Sequence, residues 1–289
     1  MTSHHFDDWS FTLAELAGVF DQAMDAQANH LDVTAAELIG TQYPERAAQL
    51  GRITARMHID LAKVSPNPSF STTAFTHEDG QVLHDAMLAN AERVLGELER
   101  QKPTLSQDVQ AMADTVLRNR EALLKAYEKL LHVDMHFDLI RLHGDLHLGQ
   151  ILNTGDDFVV IDFEGEPRLS IQDRRLRRPA LRDVAGMVRS FDYAAAAALE
   201  KVSLEDRETL APIAQQWSDT VIKAYLDAYF TEAKDQSFLP QDAASTRLLL
   251  DLHIADKALY EIGYELNYRP HFASIPLSAV VKQIGALAE

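Results

Sequence analysis

The stretch His143–Glu166, HGDLHLGQILNTGDDFVVIDFEGE, constrains this chain more than any other. The apolar run Ile151-Leu152 and the β-branched run Phe158-Val159-Val160-Ile161 flank a cluster of turn formers, Asn153-Thr154-Gly155-Asp156-Asp157. Asn, Gly and Asp tolerate the backbone angles of a tight reversal, so the spacing predicts a β-hairpin. Asp145 and Gln150 then lie on the loop entering the hairpin, after a tight Gly144-Asp145 turn, and Asp162 lies just past its second strand. Folding back brings an acid, an amide and a second acid toward one spot.

That grouping suits phosphoryl transfer. Gln150 follows Asp145 by five positions, as a metal-binding Asn follows the catalytic Asp in the protein-kinase loop. Asp162-Phe163-Glu164-Gly165 stands where a kinase carries its Asp-Phe-Gly metal ligand. A hydroxyl attacking a γ-phosphate must be oriented and relieved of its proton, which a carboxylate can do. The triphosphate charge must be neutralised by Mg²⁺, a hard ion that prefers carboxylate and amide oxygens. The plainer alternative is an acidic hairpin with two incidental carboxylates.

HGDLHLGQIL…VVIDFEGEP resembles the aminoglycoside-phosphotransferase-like small-molecule kinases and, within them, the maltokinases. DDWSFTLAEL, LGRITARMH, LRDVAGMVRSFDYAA and DKALYEIGYELNYRPHFASIPL extend the likeness from about Asp8 to about Leu277. The resemblance implies the C-terminal lobe of a protein-kinase-like fold, ATP and Mg²⁺ as cofactors, and transfer to the anomeric hydroxyl of maltose or a similar sugar. It implies Asp145 as the base and Gln150 and Asp162 as metal ligands, with Glu164 assisting metal or sugar. His143 and Asp183 would be structural supports, Asp183 bracing the catalytic loop from the next helix. Such modules occur alone or fused behind a trehalose synthase, so that enzyme is an implied partner.

The rest of the chain reads as helix. Leu13, Leu16, Ala17, Phe20 and Met24 recur at helical spacing from Ser10, with Thr12 and Glu15 as a capping box. Pro44–Lys63 carries Leu50, Ile53, Met57 and Leu61 on one face, beside which His58 reads as a core or boundary histidine. Ser65–Gly80, with its prolines and Ser/Thr cluster, predicts a surface loop. Helices are expected over Gln81–Gln101, over Leu105–Leu131 with Ser106 as N-cap, and from Leu181 to about Leu199. A further start falls at Ser203, followed by a helix over Pro212–Phe230 that buries Trp217, Ile222 and Tyr225. The last helix, Ala243–Tyr268, ends at Arg269-Pro270 and lines up Tyr260, Tyr264 and Tyr268 with Glu261 and Glu265. This is either a packing stripe or, with Arg269, a sugar-binding flank. The maltokinase resemblance favours the flank.

The fold class expected is therefore mainly α with a small β-hairpin core. Residues 1–7, with His4 and His5, read as a loose or cloning-derived end, and 8–289 as a single helical lobe built around the catalytic hairpin at 143–166. A kinase also needs a small sheet bearing a phosphate-covering glycine loop and a Lys. Before residue 144 the glycines are Gly18, Gly40, Gly51, Gly80 and Gly96, never two within ten positions. The nucleotide-covering N-terminal lobe is therefore expected to be missing. This opens a second reading, a non-catalytic interaction module.

Composition narrows the classes further. A formal charge of −17 argues against nucleic-acid binding, which relies on Lys and Arg meeting phosphates. The basic cluster Arg168, Arg174, Arg175, Arg177, Arg178 and Arg182 reads as an ion-paired loop or as a phosphate- or partner-facing patch. The chain has no cysteine, which removes disulfides and thiolate sites. It has no apolar run of membrane-spanning length, so a cytoplasmic protein with no membrane partner is expected.

Overall fold

The computed structural model describes residues 6–63, 65, 67–166 and 169–288; His4, His5 and Arg168 lie outside them. In chain order the elements are β1 (Phe6–Asp7), α1 (Asp8–Ala28), α2 (Ala35–Ile39), α3 (Gln42–Leu61), β2 (Thr73–Ala74) and α4 (His77–Gln101). Then come α5 (Gln107–Arg118), α6 (Arg120–Glu128), β3 (Asp138–Leu139), β4 (Ile151–Asn153) and β5 (Phe158–Val160). The chain finishes with α7 (Ile171–Arg174), α8 (Leu181–Glu200), α9 (Leu204–Glu232), α10 (Ala243–Tyr268) and α11 (Ser274–Ala288). Among the described residues no helix is long and apolar enough to cross a membrane.

The described residues form two compact units where the sequence reads as one lobe. The first comprises residues up to Ser71 with Arg141–Leu176 and Gly186–Gln236. Its framework is α3 packed along α9. Trp217, Val221, Tyr225 and Tyr229 face inward from α9, all fully buried, while Ile222 is only half-buried. His58 is a core histidine, as expected, with Nδ1 2.8 Å from the Tyr229 hydroxyl. The hairpin β4–β5 pairs Ile151 with Val160, Leu152 with Val159 and Asn153 with Phe158. The two-residue β1 adds to the other edge of β4, Phe6 opposite Asn153.

The second unit is Thr72–Ile140, Arg177–Ala185 and Ser237–Glu289. In it α10 packs against α4 and α11, burying Leu249, Leu252, Leu259 and Ile262 against Val94, Leu95 and Leu98. The pair β2–β3 is antiparallel, Thr73 opposite Leu139.

Several boundaries differ from the sequence reading for identifiable reasons. Asp7, not Thr12, caps α1: its side chain accepts from the Ser10 N–H, and Thr12 sits buried a turn later, donating to the Asp8 carbonyl. The loop expected over Ser65–Gly80 ends early, because Thr76 and Asp79 form a reciprocal capping box that starts α4. Leu105–Leu131 breaks at Asn119 into α5 and α6. Ser106 occupies the N-cap without donating or accepting a capping side-chain bond. Ser203 does cap its helix, accepting from the Asp206 N–H, and that helix runs unbroken through Pro212. The final helix α11 had no clear signal beyond an apolar composition.

Two buried titratable groups make stability respond to pH in opposite directions. Asp8, on α1, is pushed up to about 6, chiefly by burial, with Asp7 adding to the rise and Arg46 and Asn153 opposing it. Its folded pKa is raised, so the stability that it contributes is full below about 3.8 and is lost as pH rises through about 6. His253, on α10, is pushed down to about 3 by burial and by Arg182 and Arg178, with Asp183 opposing. Its contribution is present above 6.5 and is lost as pH falls toward 3. Asp8→Asn should remove a fall in unfolding free energy on the order of 3 kcal/mol between pH 4 and 7. His253→Leu should flatten the acid limb. Urea unfolding across pH 3–8 tests both; unaltered profiles would contradict the burial argument.

Candidate active site

The loop from His143 to Gln150 is held from three sides within the first unit. The His143 ring is buried, and its Nε2 lies 2.7 Å from the Ile161 carbonyl oxygen. A carbonyl only accepts, so Nε2 carries the proton, and Nδ1 is then the acceptor for the Asp145 N–H at 3.3 Å. One imidazole thus ties the start of the loop to the end of β5, and Phe163 packs on it at 5.0 Å between ring centroids. Gly144, at φ +88°, lies so near Gly165 that a Cβ would meet its Cα at 3.3 Å. From the far side α8 supports the loop: the Ser190 hydroxyl accepts from the Leu148 N–H at 3.1 Å. Gly186 lets α8 approach closely, since a Cβ there would sit 2.5 Å from the Leu146 carbonyl oxygen.

This scaffold brings Gln150 and Asp162 together. The Ile161 N–H donates to the Gln150 carbonyl at 3.0 Å, continuing the hairpin ladder by one bond. The Gln150 Nε2 donates to Asp162 Oδ2 at 3.3 Å. That leaves the amide Oε1 and the exposed carboxylate as a pair of hard oxygen donors. The donor set suits Mg²⁺, although among the described residues no three His, Asp or Glu side chains converge as a metal cluster. Asp162 adopts φ +62°, a left-handed conformation uncommon outside glycine. Glu164 follows on the exposed turn. Asp145 sits on the loop with its side chain 17% exposed.

His147 is a site residue that the sequence reading missed. Its Nδ1 accepts from the Gly149 N–H at 3.0 Å, which leaves Nε2 as the protonated nitrogen, 4.0 Å from Asp145 Oδ2. The signal was its place two residues after Asp145 in HGDLH.

The predicted sugar flank is ordered on α10 in the second unit. Glu265 is buried and held by Arg269 through Nε at 3.0 Å and Nη2 at 2.6 Å. The Arg269 guanidinium lies over Tyr264 at 5.3 Å and over Phe272 at 5.4 Å. Tyr264 packs on Tyr268 at 4.9 Å, and the Lys257 ammonium lies over Tyr260 at 4.9 Å. Asp183, also in this unit, lies buried in the first turn of α8.

The model of the APH phosphotransferase enzyme family matches residues 12–238, which include the whole loop and hairpin. The chain belongs to this family. The α10 flank lies beyond the match.

Among curated relatives, the glucosamine kinase of Streptacidiphilus jiangxiensis is 31% identical over 234 residues, 80% of this chain and 47% of that protein. The glucosamine kinase of Mycolicibacterium smegmatis is 33% identical over 138 residues, 48% of this chain and 33% of that protein. The chain spans about half or less of the length of these relatives. A solved glucosamine kinase in complex with glucosamine, ADP and inorganic phosphate superposes with a TM-score of 0.74 at 22% identity, over 98% of this chain and 58% of that one. A second crystal form gives 0.75 and 60%. At this identity the structural likeness concerns the fold.

Gly186 allows a test in which two effects compete. Ala in a helix interior is worth about 1 kcal/mol over Gly, whereas a Cβ 2.5 Å from a carbonyl oxygen forces α8 off the loop, at a cost of roughly 1–3 kcal/mol. Gly186→Ala should therefore lower unfolding free energy in urea titrations. A gain in stability would show that the loop is not pressed against α8.

Proposed function

We propose that this chain forms the acceptor- and metal-holding part of an ATP-dependent sugar kinase. The observation that carries the reading is the meeting of Gln150 and Asp162, 3.3 Å apart, where the Asp145 loop enters the hairpin. Asp145 takes the proton of the attacking sugar hydroxyl as its oxygen bonds to the γ-phosphorus, while the bond from that phosphorus to the bridging oxygen breaks and ADP leaves with its electron pair. The Nε2–H of His147 lies 4.0 Å from that carboxylate. Asp162 and the Gln150 Oε1 are the residues that would hold Mg²⁺, which supplies charge neutralisation at the phosphates when bound. In this reading Glu164 assists metal or sugar and Asp183 is a structural support, roles that rest on the motif resemblance.

The acceptor is read from the flank on α10. Tyrosine faces suit sugar C–H surfaces, and Glu265, fixed by Arg269, is a preorganised hydroxyl or ammonium acceptor. The curated relatives carry the name glucosamine kinase, and a structure of the same fold holds glucosamine and ADP. These names support ATP as donor and put glucosamine ahead of maltose, the acceptor that the motif resemblance implies. A formal charge of −17 also favours a cationic amino sugar over a neutral disaccharide. A trehalose synthase partner rests on the resemblance alone. The reading includes a separate phosphate-covering lobe, because the described residues between 6 and 140 form helices, two-residue strands and connecting loops. The chain alone should therefore hold ATP weakly, because phosphoryl transfer depends on positioning and charge stabilisation.

In the complete kinase, Asp145→Asn should lower kcat by ~10²–10⁴ with little change in Tm. Asp162→Ala should abolish Mg²⁺-dependent turnover, and Gln150→Ala should reduce it less, because an amide oxygen is the weaker ligand for a hard cation. Steady-state assays with glucosamine and with maltose decide the acceptor. A kcat indifferent to Asp145 would remove it from the mechanism, and turnover or binding indifferent to Asp162 would favour a non-catalytic module.

A further inference from the structure

The closed end of the hairpin is gripped by α3 in a way that the chemistry above does not require. Arg46 Nη1 donates to the Gly155 carbonyl at 3.1 Å. Its guanidinium lies between two phenyl rings, 4.7 Å from the Phe11 centroid on α1 and 4.6 Å from the Phe158 centroid on β5. One turn along α3, the Gln49 amide donates to the Asp156 carbonyl and to Asp157 Oδ1, both at 3.1 Å. Asp8, buried on α1, faces the guanidinium electrostatically and takes a side-chain hydrogen bond from Asn153 of β4.

This arrangement is expensive for a merely structural contact. Arg46 Nε and Nη2 and Asp8 Oδ1 are buried with no hydrogen-bond partner among the described residues, and buried polar groups left unmatched destabilise a fold. An apolar side chain would fill the slot between the rings without that cost. What the arginine adds is a directional hold on the turn. A hairpin of three residue pairs is marginal in water by itself. Its open end nevertheless holds Gln150 beside Asp162, the latter in a left-handed conformation.

Resting on the metal reading above, we propose that Arg46 is a positioning residue. By clamping the Asn153–Phe158 turn between α1 and α3, it keeps β4 and β5 in register, so that Gln150 and Asp162 meet at the other end. The clamp acts through the ladder. With the turn loosened, the terminal Ile161–Gln150 bond opens first, and the two oxygen donors separate.

Two measurements on the full chain test this. Hydrogen exchange followed by mass spectrometry reads the peptide 150–162 against the α9 peptide 213–232, and electron paramagnetic resonance titration reads Mn²⁺ binding, with Asp162→Ala as the control. In Arg46→Met, hairpin exchange should rise about tenfold through local opening while α9 is unchanged, and the Mn²⁺ dissociation constant should rise several-fold. Arg46→Lys, which keeps the charge and can still reach Gly155, should lie between; should the Met variant not fold, it carries both measurements alone. Hairpin exchange at the wild-type rate, an equal rise in α9, or an unchanged dissociation constant would overturn the clamp. Wild-type Mn²⁺ binding indifferent to Asp162→Ala would instead sink the metal reading and leave Arg46 nothing to position, while the exchange data would still show whether it holds the hairpin.

Discussion

A single imidazole joins the parts of the site that lie far apart in sequence. His143 donates from Nε2 to the carbonyl that ends β5 and accepts at Nδ1 from the amide of Asp145. The ring can do both only as the neutral Nε2–H tautomer. The Ile161 carbonyl, which can only accept, selects that same tautomer. The proposed base and the proposed metal pair are therefore referenced to one rigid group rather than to two independent loops. Gly144 against Gly165, and Gly186 against Leu146, bring the backbones close enough for this to work.

The hairpin core was legible because its signal is local. Turn formers between two β-rich runs define the reversal, and the register observed is the one that places Gln150 and Asp162 at the open end. The bounds of α10 were equally legible: Asp242 caps one end by accepting from Ser245, and Pro270 closes the other. The misreadings arose where tertiary context overrode a local rule. Thr12 has the spacing of a cap, yet Asp7, the last residue of β1, immediately precedes α1 and fills the role. Pro212 lies inside α9 and forgoes one intrahelical hydrogen bond, yet the helix continues through it to Glu232. His147 and Arg46 were passed over for a different reason. Neither belongs to a pattern of carboxylates or aromatics, and their significance lies in what the fold brings to them.

The family match and the mostly helical architecture agree on a chain of the APH phosphotransferase family, with distinct features in each unit. The first unit holds a loop of prospective reacting groups on a small sheet, and the second holds an aromatic and ionic array on one long helix. Within that array Glu265 is buried but matched by a bidentate guanidinium, which leaves neither carboxylate oxygen unpaired.

The left-handed backbone at Asp162 carries a consequence for which variants of this protein can exist. Only glycine, asparagine and aspartate occupy that region readily. Glycine has no oxygen donor in its side chain, and asparagine has no charge. Glutamate, chemically the nearest relative, must accept both backbone strain and an extra methylene. Torsion angle and the proposed ligand chemistry therefore both favour aspartate here, with asparagine the nearest substitute.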